Sequence, residues 1–170
     1  MEKELQTGTM ILISKPKLSQ ELYELRTGDK VVGRIGFPKS FGTLAEAELF
    51  AESWTFKRMG FWKPCITVRL KSSDHDLMQI PFSGRKKGLL NFTGPEGETY
   101  ILVKKSFWSS KWIWLKKDRI LIEYSIKSGF KKFAEVVVLE NDERLHLLLM
   151  IGAYGLIMHG MDEVATVVAT

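Results

Sequence analysis

One cysteine and three histidines leave this 170-residue chain little of the side-chain chemistry that catalysis and metal binding draw on. Cys65 stands alone, which rules out an internal disulfide and gives no support to an oxidising compartment. It follows Lys63-Pro64 at the start of a strand. Nearby bases would suit a reactive thiol, but a lone cysteine there reads as a small buried apolar residue. No Gly-x-Ser-x-Gly elbow occurs. Gly84-Arg85-Lys86-Lys87-Gly88 has neither the glycine spacing nor the Lys-Ser/Thr ending of a phosphate loop. Asp74-His75-Asp76 gathers ligand types without zinc or EF-hand spacing, and reads as a solvated turn. His146 and His159 would stand about 20 Å apart on nearly opposite faces of one helix, too far to share a metal. The expectation is a protein that is not an enzyme, with no catalytic, cofactor-binding or metal residues.

Targeting and linker signals are also missing. MEKELQTGT has no basic region leading into an apolar core, so a cytoplasmic location is the expectation. No low-complexity segment divides the chain, and its length suits one domain with a real core. The net charge of +5 permits an anionic partner without demanding one.

What the chain does have is a series of short apolar runs punctuated by turns. MILIS (Met10–Ser14) reads as a strand stopped by Lys15-Pro16. LYELR and VVGRIGF flank Thr27-Gly28-Asp29-Lys30, a hairpin turn, and Gly33 and Gly36 suggest a bulge or bend in the second arm. Thr43–Arg58 mixes helix formers with the alternation Trp54-Thr55-Phe56-Lys57, and is read as extended. ITVRL, LMQIPF and GLLNF follow, then Gly94-Pro95-Glu96-Gly97 as a strong turn. TYILVKK, KWIWLKK, RILIEYSIK and KKFAEVVVLE complete about twelve short strands, the spacing of a sandwich or barrel.

Residues 142–160 are different. From Leu145 to Met161 there is no formal charge and no polar stripe at helical spacing, so the helix has no face meant for water. Glu140, Asp142 and Glu143 suit its positive end, Asn141 or Asp142 can cap it, and Gly160 marks its expected end, with a short tail over 161–170. The uncharged stretch spans about 25 Å, below the ~30 Å hydrocarbon core, so a protein interior is favoured over a membrane span. The reading is a mainly β chain, an antiparallel closed barrel around a buried C-terminal helix. Leu145, Leu148, Leu149 and Leu156 would be axial core residues, with Gly152, Ala153 and Gly155 admitting the wall closely at mid-helix.

Three segments carry a resemblance: Ala45–Phe61 (AEAELFAESWTFKRMGF), Lys104–Leu115 (KKSFWSSKWIWL) and the closing LHLLLMIGAYGLIMH. In their order the chain resembles the tubby C-terminal-like superfamily, which includes LURP-one-related proteins and phospholipid scramblases. It is also similar to uncharacterised prokaryotic proteins with the same SWTFKR, FW and W-x-W order. The resemblance implies a twelve-stranded antiparallel barrel around a hydrophobic C-terminal helix. It does not fix function, which varies across the superfamily and includes phosphoinositide binding in tubby proteins. Tubby's lipid-contacting bases match no positions here. The acidic calcium-binding run expected of a scramblase is absent, which puts lipid flipping in doubt.

One internal echo remains. Thr55–Pro64 (TFKRMGFWKP) and Leu102–Lys111 (LVKKSFWSSK) both place two bases before Phe-Trp and a later Lys, as two equivalent hairpins would. Lys57, Arg58, Trp62 and Lys63 form one group with Phe61; Lys104, Lys105, Trp108 and Lys111 form the other with Phe107 and Trp112. In the default reading the aromatics plug a barrel end and the lysines are merely solvated. The best specific alternative is contact with an anionic phospholipid surface, Lys meeting phosphates and Trp settling at headgroup depth. A protein-interaction scaffold is the runner-up. Single-stranded nucleic-acid binding ranks below both, for want of an arginine-rich element or RNA-binding signature. The chain is expected to be peripheral to a membrane if it meets one, and monomeric or weakly self-associating.

Overall fold

The structure, a computed structural model, describes residues 4–40, 42–83, 88–129 and 131–169. Seven strands come first: β1 (Met10–Ser14), β2 (Leu22–Thr27), β3 (Lys30–Gly36), β4 (Leu44–Leu49), β5 (Glu52–Met59), β6 (Cys65–Leu70) and β7 (Met78–Pro81). Then follow β8 (Leu90–Thr93), β9 (Thr99–Lys104), β10 (Lys111–Lys116), β11 (Arg119–Ile126), β12 (Lys132–Val138) and the helix α1 (Leu145–Val168). All neighbours pair antiparallel in the order β7-β6-β5-β4-β3-β2-β1-β12-β11-β10-β9-β8. A bridge between Phe82 and Leu90 joins the two outer strands and brings the twelve-stranded sheet nearly to closure as a barrel.

Alternation decides what enters the lumen. β4 shows it cleanly: Ala45, Ala47 and Leu49 are buried while Leu44, Glu46 and Glu48 face out. The expected bulge in the β2–β3 hairpin is present. Arg26 pairs with Val31 and Leu25 with Gly33, leaving Val32 over. A Cβ on Gly33 would stand 2.6 Å from the Glu48 carbonyl oxygen, so only glycine fits beside β4.

Every residue of α1 from Leu147 to Met158 is buried, as an all-round apolar helix demands. By length and composition α1 could cross a membrane, but 67% of its most apolar window lies inside the barrel. The helix sits off-centre, its backbone nearest β4, whose inward residues include the small Ala45 and Ala47. The opposite wall fills the remaining space with Phe92, Tyr100, Trp114 and Tyr124.

Two boundaries differ from the sequence reading. Thr43–Arg58 is not one extended segment but the β4–β5 hairpin. Phe50 makes its turn at φ 52°, a left-handed conformation that the sequence marks with no Gly or Asn. The helix runs over Leu145–Val168, not 142–160. Its first turn holds no acid, and Arg144 precedes it without a side-chain cap. Asp142 is instead drawn to the rim, where its carboxylate takes Lys116 at 2.6 Å and the Arg144 N–H at 2.9 Å. Gly160 does not end the helix. One glycine costs about 1 kcal/mol relative to Ala, and no proline follows it. Asp162 in the next turn is held by Arg58 at 2.7 Å. Met161–Val168, expected as a tail, is helix.

Candidate functional site

Antiparallel alternation sorts the connections onto two ends. Those after β1, β3, β5, β7, β9 and β11 emerge at one end, and those after even-numbered strands at the other. Both Phe-Trp pairs therefore lie at the same end, Phe61-Trp62 in the β5–β6 tip and Phe107-Trp108 in the β9–β10 tip. Their local geometry repeats as well as their sequence. Phe61 meets Trp62 edge-on at 5.2 Å and 87°, and Phe107 meets Trp108 at 4.9 Å and 89°.

These four rings do not plug the barrel. Trp62 and Trp108 are 90% and 91% exposed, Phe61 and Phe107 87% and 81%. The mouth is closed by other groups. Phe37 stacks on Tyr154 at 6.1 Å, and His159 meets Trp112 edge-on at 5.3 Å. The Tyr154 hydroxyl accepts the Arg58 backbone N–H at 3.0 Å and donates to the Thr43 carbonyl. Burial pushes the Tyr154 hydroxyl well above its ordinary pKa, so it stays a donor.

The lysines fall into two kinds. Lys57 and Lys63 are exposed and have no carboxylate partner among the described residues; Lys104 lies over the Trp112 ring at 5.9 Å. Lys105 and Lys111 share Glu123 at 2.7 and 2.8 Å and hold its carboxyl below the usual carboxylate range. Arg58 is committed to Asp162, with its guanidinium 4.9 Å from the Phe82 ring centre.

The sequence reading missed the charge of the whole end. Among the described residues its connections also carry Lys17, Lys39, Lys127 and Lys131. Their only carboxylate is Glu21, which Lys15 meets at 3.2 Å. At the other end the connections carry Asp29, Asp74, Asp76, Glu96, Asp118 and Glu143 among others. Sorting connection charges by strand parity would have shown this. The basic run Arg85-Lys86-Lys87 falls between β7 and β8, outside the described residues.

No protein-family model, curated protein or solved structure matches this chain. Its site is read from its own geometry.

A cavity of about 820 Å³ lies at the acidic end and is lined by Glu4, Glu52, Asp142, Glu143 and His146 among others. Three of its acids are already paired, Asp142 with Lys116, Glu52 with the His146 ring and Glu143 with Arg144 at 3.8 Å. Among the described residues no three His, Cys, Asp or Glu side chains gather to hold a metal ion. Cys65 opens β6 half-buried. The solvated turn Asp74-His75-Asp76 gives Asp76 to Arg69.

Proposed function

We propose that this chain is a non-enzymatic, tubby-like barrel that recognises anionic lipid headgroups from the cytoplasmic side without spanning the membrane. The observation that carries this reading is the pairing, at one barrel end, of two nearly fully exposed tryptophans with exposed lysines such as Lys57 and Lys63 that have no carboxylate partner among the described residues. Large exposed aromatics are a liability in water and mark an interaction surface. Trp and Phe settle at the headgroup boundary, while lysines gain about 1 kcal/mol each near an anionic leaflet. The resemblance to tubby-like proteins bears on the fold alone, and α1 serves as core rather than anchor.

The test is flotation with neutral and with anionic liposomes at low and moderate salt. Binding to anionic liposomes alone, weakened by salt, is expected. No binding under any condition overturns the proposal and leaves the protein-interaction scaffold. Binding to single-stranded nucleic acid that falls steeply with salt, with none to liposomes, moves the site to that class.

A further inference from the structure

Beyond Met158 the helix α1 leaves the lumen at the basic end, beside the Trp112 and Arg58 rim. A helix that emerges into water ordinarily turns polar. This one does not. Met161, Val164 and Val168 recur at i, i+3 and i+7 and share a face, and Val164 and Val168 are 65% and 81% exposed. The two carboxylates of these turns are both engaged: Asp162 with Arg58 at 2.7 Å, Glu163 with His159 at 3.3 Å. Valine is also a mediocre helix former, so propensity does not explain an exposed valine-rich helix end.

We propose that Met161–Val168 is a third membrane-contacting element, entering an anionic bilayer interface beside the two Phe-Trp tips, so that the barrel docks end-on. This rests on the lipid reading above and adds an orientation to it. The segment is about 12 Å long, enough to pass the headgroups. The tips stand roughly 20 Å apart along the rim, four strand spacings by way of β7 and β8, and the helix leaves the lumen they border. Three separated anchors at one end fix a direction, which a single loop cannot. Charge selects the occupant. A second copy meeting this end head-on would set lysine against lysine, whereas an anionic bilayer complements all of them.

The test uses the full chain with Cys65→Ser and a single new cysteine carrying an environment-sensitive nitrobenzoxadiazole probe, in Val168→Cys or in Asp118→Cys at the opposite end. Vesicles are phosphatidylcholine alone, or phosphatidylcholine and phosphatidylserine in equal parts. Expected are a blue-shifted, brightened probe at position 168 on the anionic vesicles, quenched by spin-labelled lipid, and an unchanged probe at 118. Val164→Asp/Val168→Asp should weaken vesicle binding by at least about fivefold at an unchanged melting temperature. If the protein co-sediments with vesicles but the probe at 168 stays aqueous, the tail proposal falls and the lipid reading stands. If nothing co-sediments, both fall. A blue shift without vesicles that disappears on dilution means a second copy covers the tail, and overturns the proposal.

Discussion

The indole Nε1 of Trp114 donates to the carbonyl oxygen of Leu148 at 2.9 Å, a hydrogen bond from the barrel wall into the flank of the helix. Tyr124 adds its hydroxyl to the same oxygen at 3.1 Å and to Leu149 at 3.0 Å. In an α-helix the Leu148 carbonyl already receives the N–H of residue 152, so further donors must arrive from the side. They reach it because residue 152 is glycine. A Cβ there would stand 2.5 Å from Trp114 Nε1 and closer still to the Tyr124 hydroxyl.

Gly152→Ala should therefore displace both donors and destabilise the fold by about 2–4 kcal/mol, combining overpacking with lost buried hydrogen bonds. Gly155→Ala is the internal control. Its Cβ would meet the Leu90 Cδ1 methyl at 3.0 Å, the end of a flexible side chain, and the cost should stay below about 1.5 kcal/mol. Urea unfolding of the two variants checks this. Equal costs would mean that the hydrogen-bonded notch does not matter.

Tyr154→Phe probes the rim at the other end of the buried helix. It removes one hydroxyl and leaves the Arg58 N–H and the Thr43 carbonyl without their partner. The expected loss is about 1–3 kcal/mol. Amide exchange at Arg58 should quicken by more than the global change in stability, which plain cavity formation would not produce.

Acid should act through Asp142, where the last strand hands over to the helix. Burial opposes its charge, but Lys116, the Arg144 N–H and the Tyr100 hydroxyl outweigh it and hold its carboxyl below the usual value. A carboxylate with a lower pKa folded than unfolded binds fewer protons in the native state. Its contribution is complete above the unfolded value near ~3.9 and is lost as pH falls through the lower folded value. Stability should thus be level from neutral pH to about 5 and decline below about 4. Asp142→Asn should cost on the order of 1–3 kcal/mol at neutral pH, with the gap to wild type closing in acid. A gap independent of pH would assign the cost to packing instead.

Most of this architecture is legible because the periods are clean. Ala45, Ala47 and Leu49 alternate with Leu44, Glu46 and Glu48, and an uncharged Leu145–Met158 has no face meant for water. The hidden parts depended on what a residue meets rather than what it prefers. Phe50 turns a hairpin with no turn residue, and Asp142, a natural cap, is claimed by Lys116. Gly160 passes as helix because Arg58 fixes Asp162 just beyond it. The candidate site was half legible. The Phe-Trp echo names the tips, but their shared end follows from the strand order and their exposure from the packing of the folded chain.

The two chemistries of that end can be separated by salt. Moving a tryptophan from water into the interface contributes apolar burial, which salt barely screens; replacing Trp62 or Trp108 with Ala should cost about tenfold in vesicle affinity at any ionic strength. The lysines act through Coulomb attraction, screened over about 10 Å at ~0.1 M salt. Lys63 is the clean reversal, since it is exposed and has no carboxylate partner among the described residues. Lys63→Glu should weaken binding several-fold at low salt, and the effect should fade as salt rises. Lys105→Glu is a poorer probe, because it would set a second carboxylate beside Glu123 and cost folding stability as well. If the tryptophan variants became harmless at high salt, or the Lys63 effect ignored it, the division of labour between aromatic tips and basic rim would be wrong.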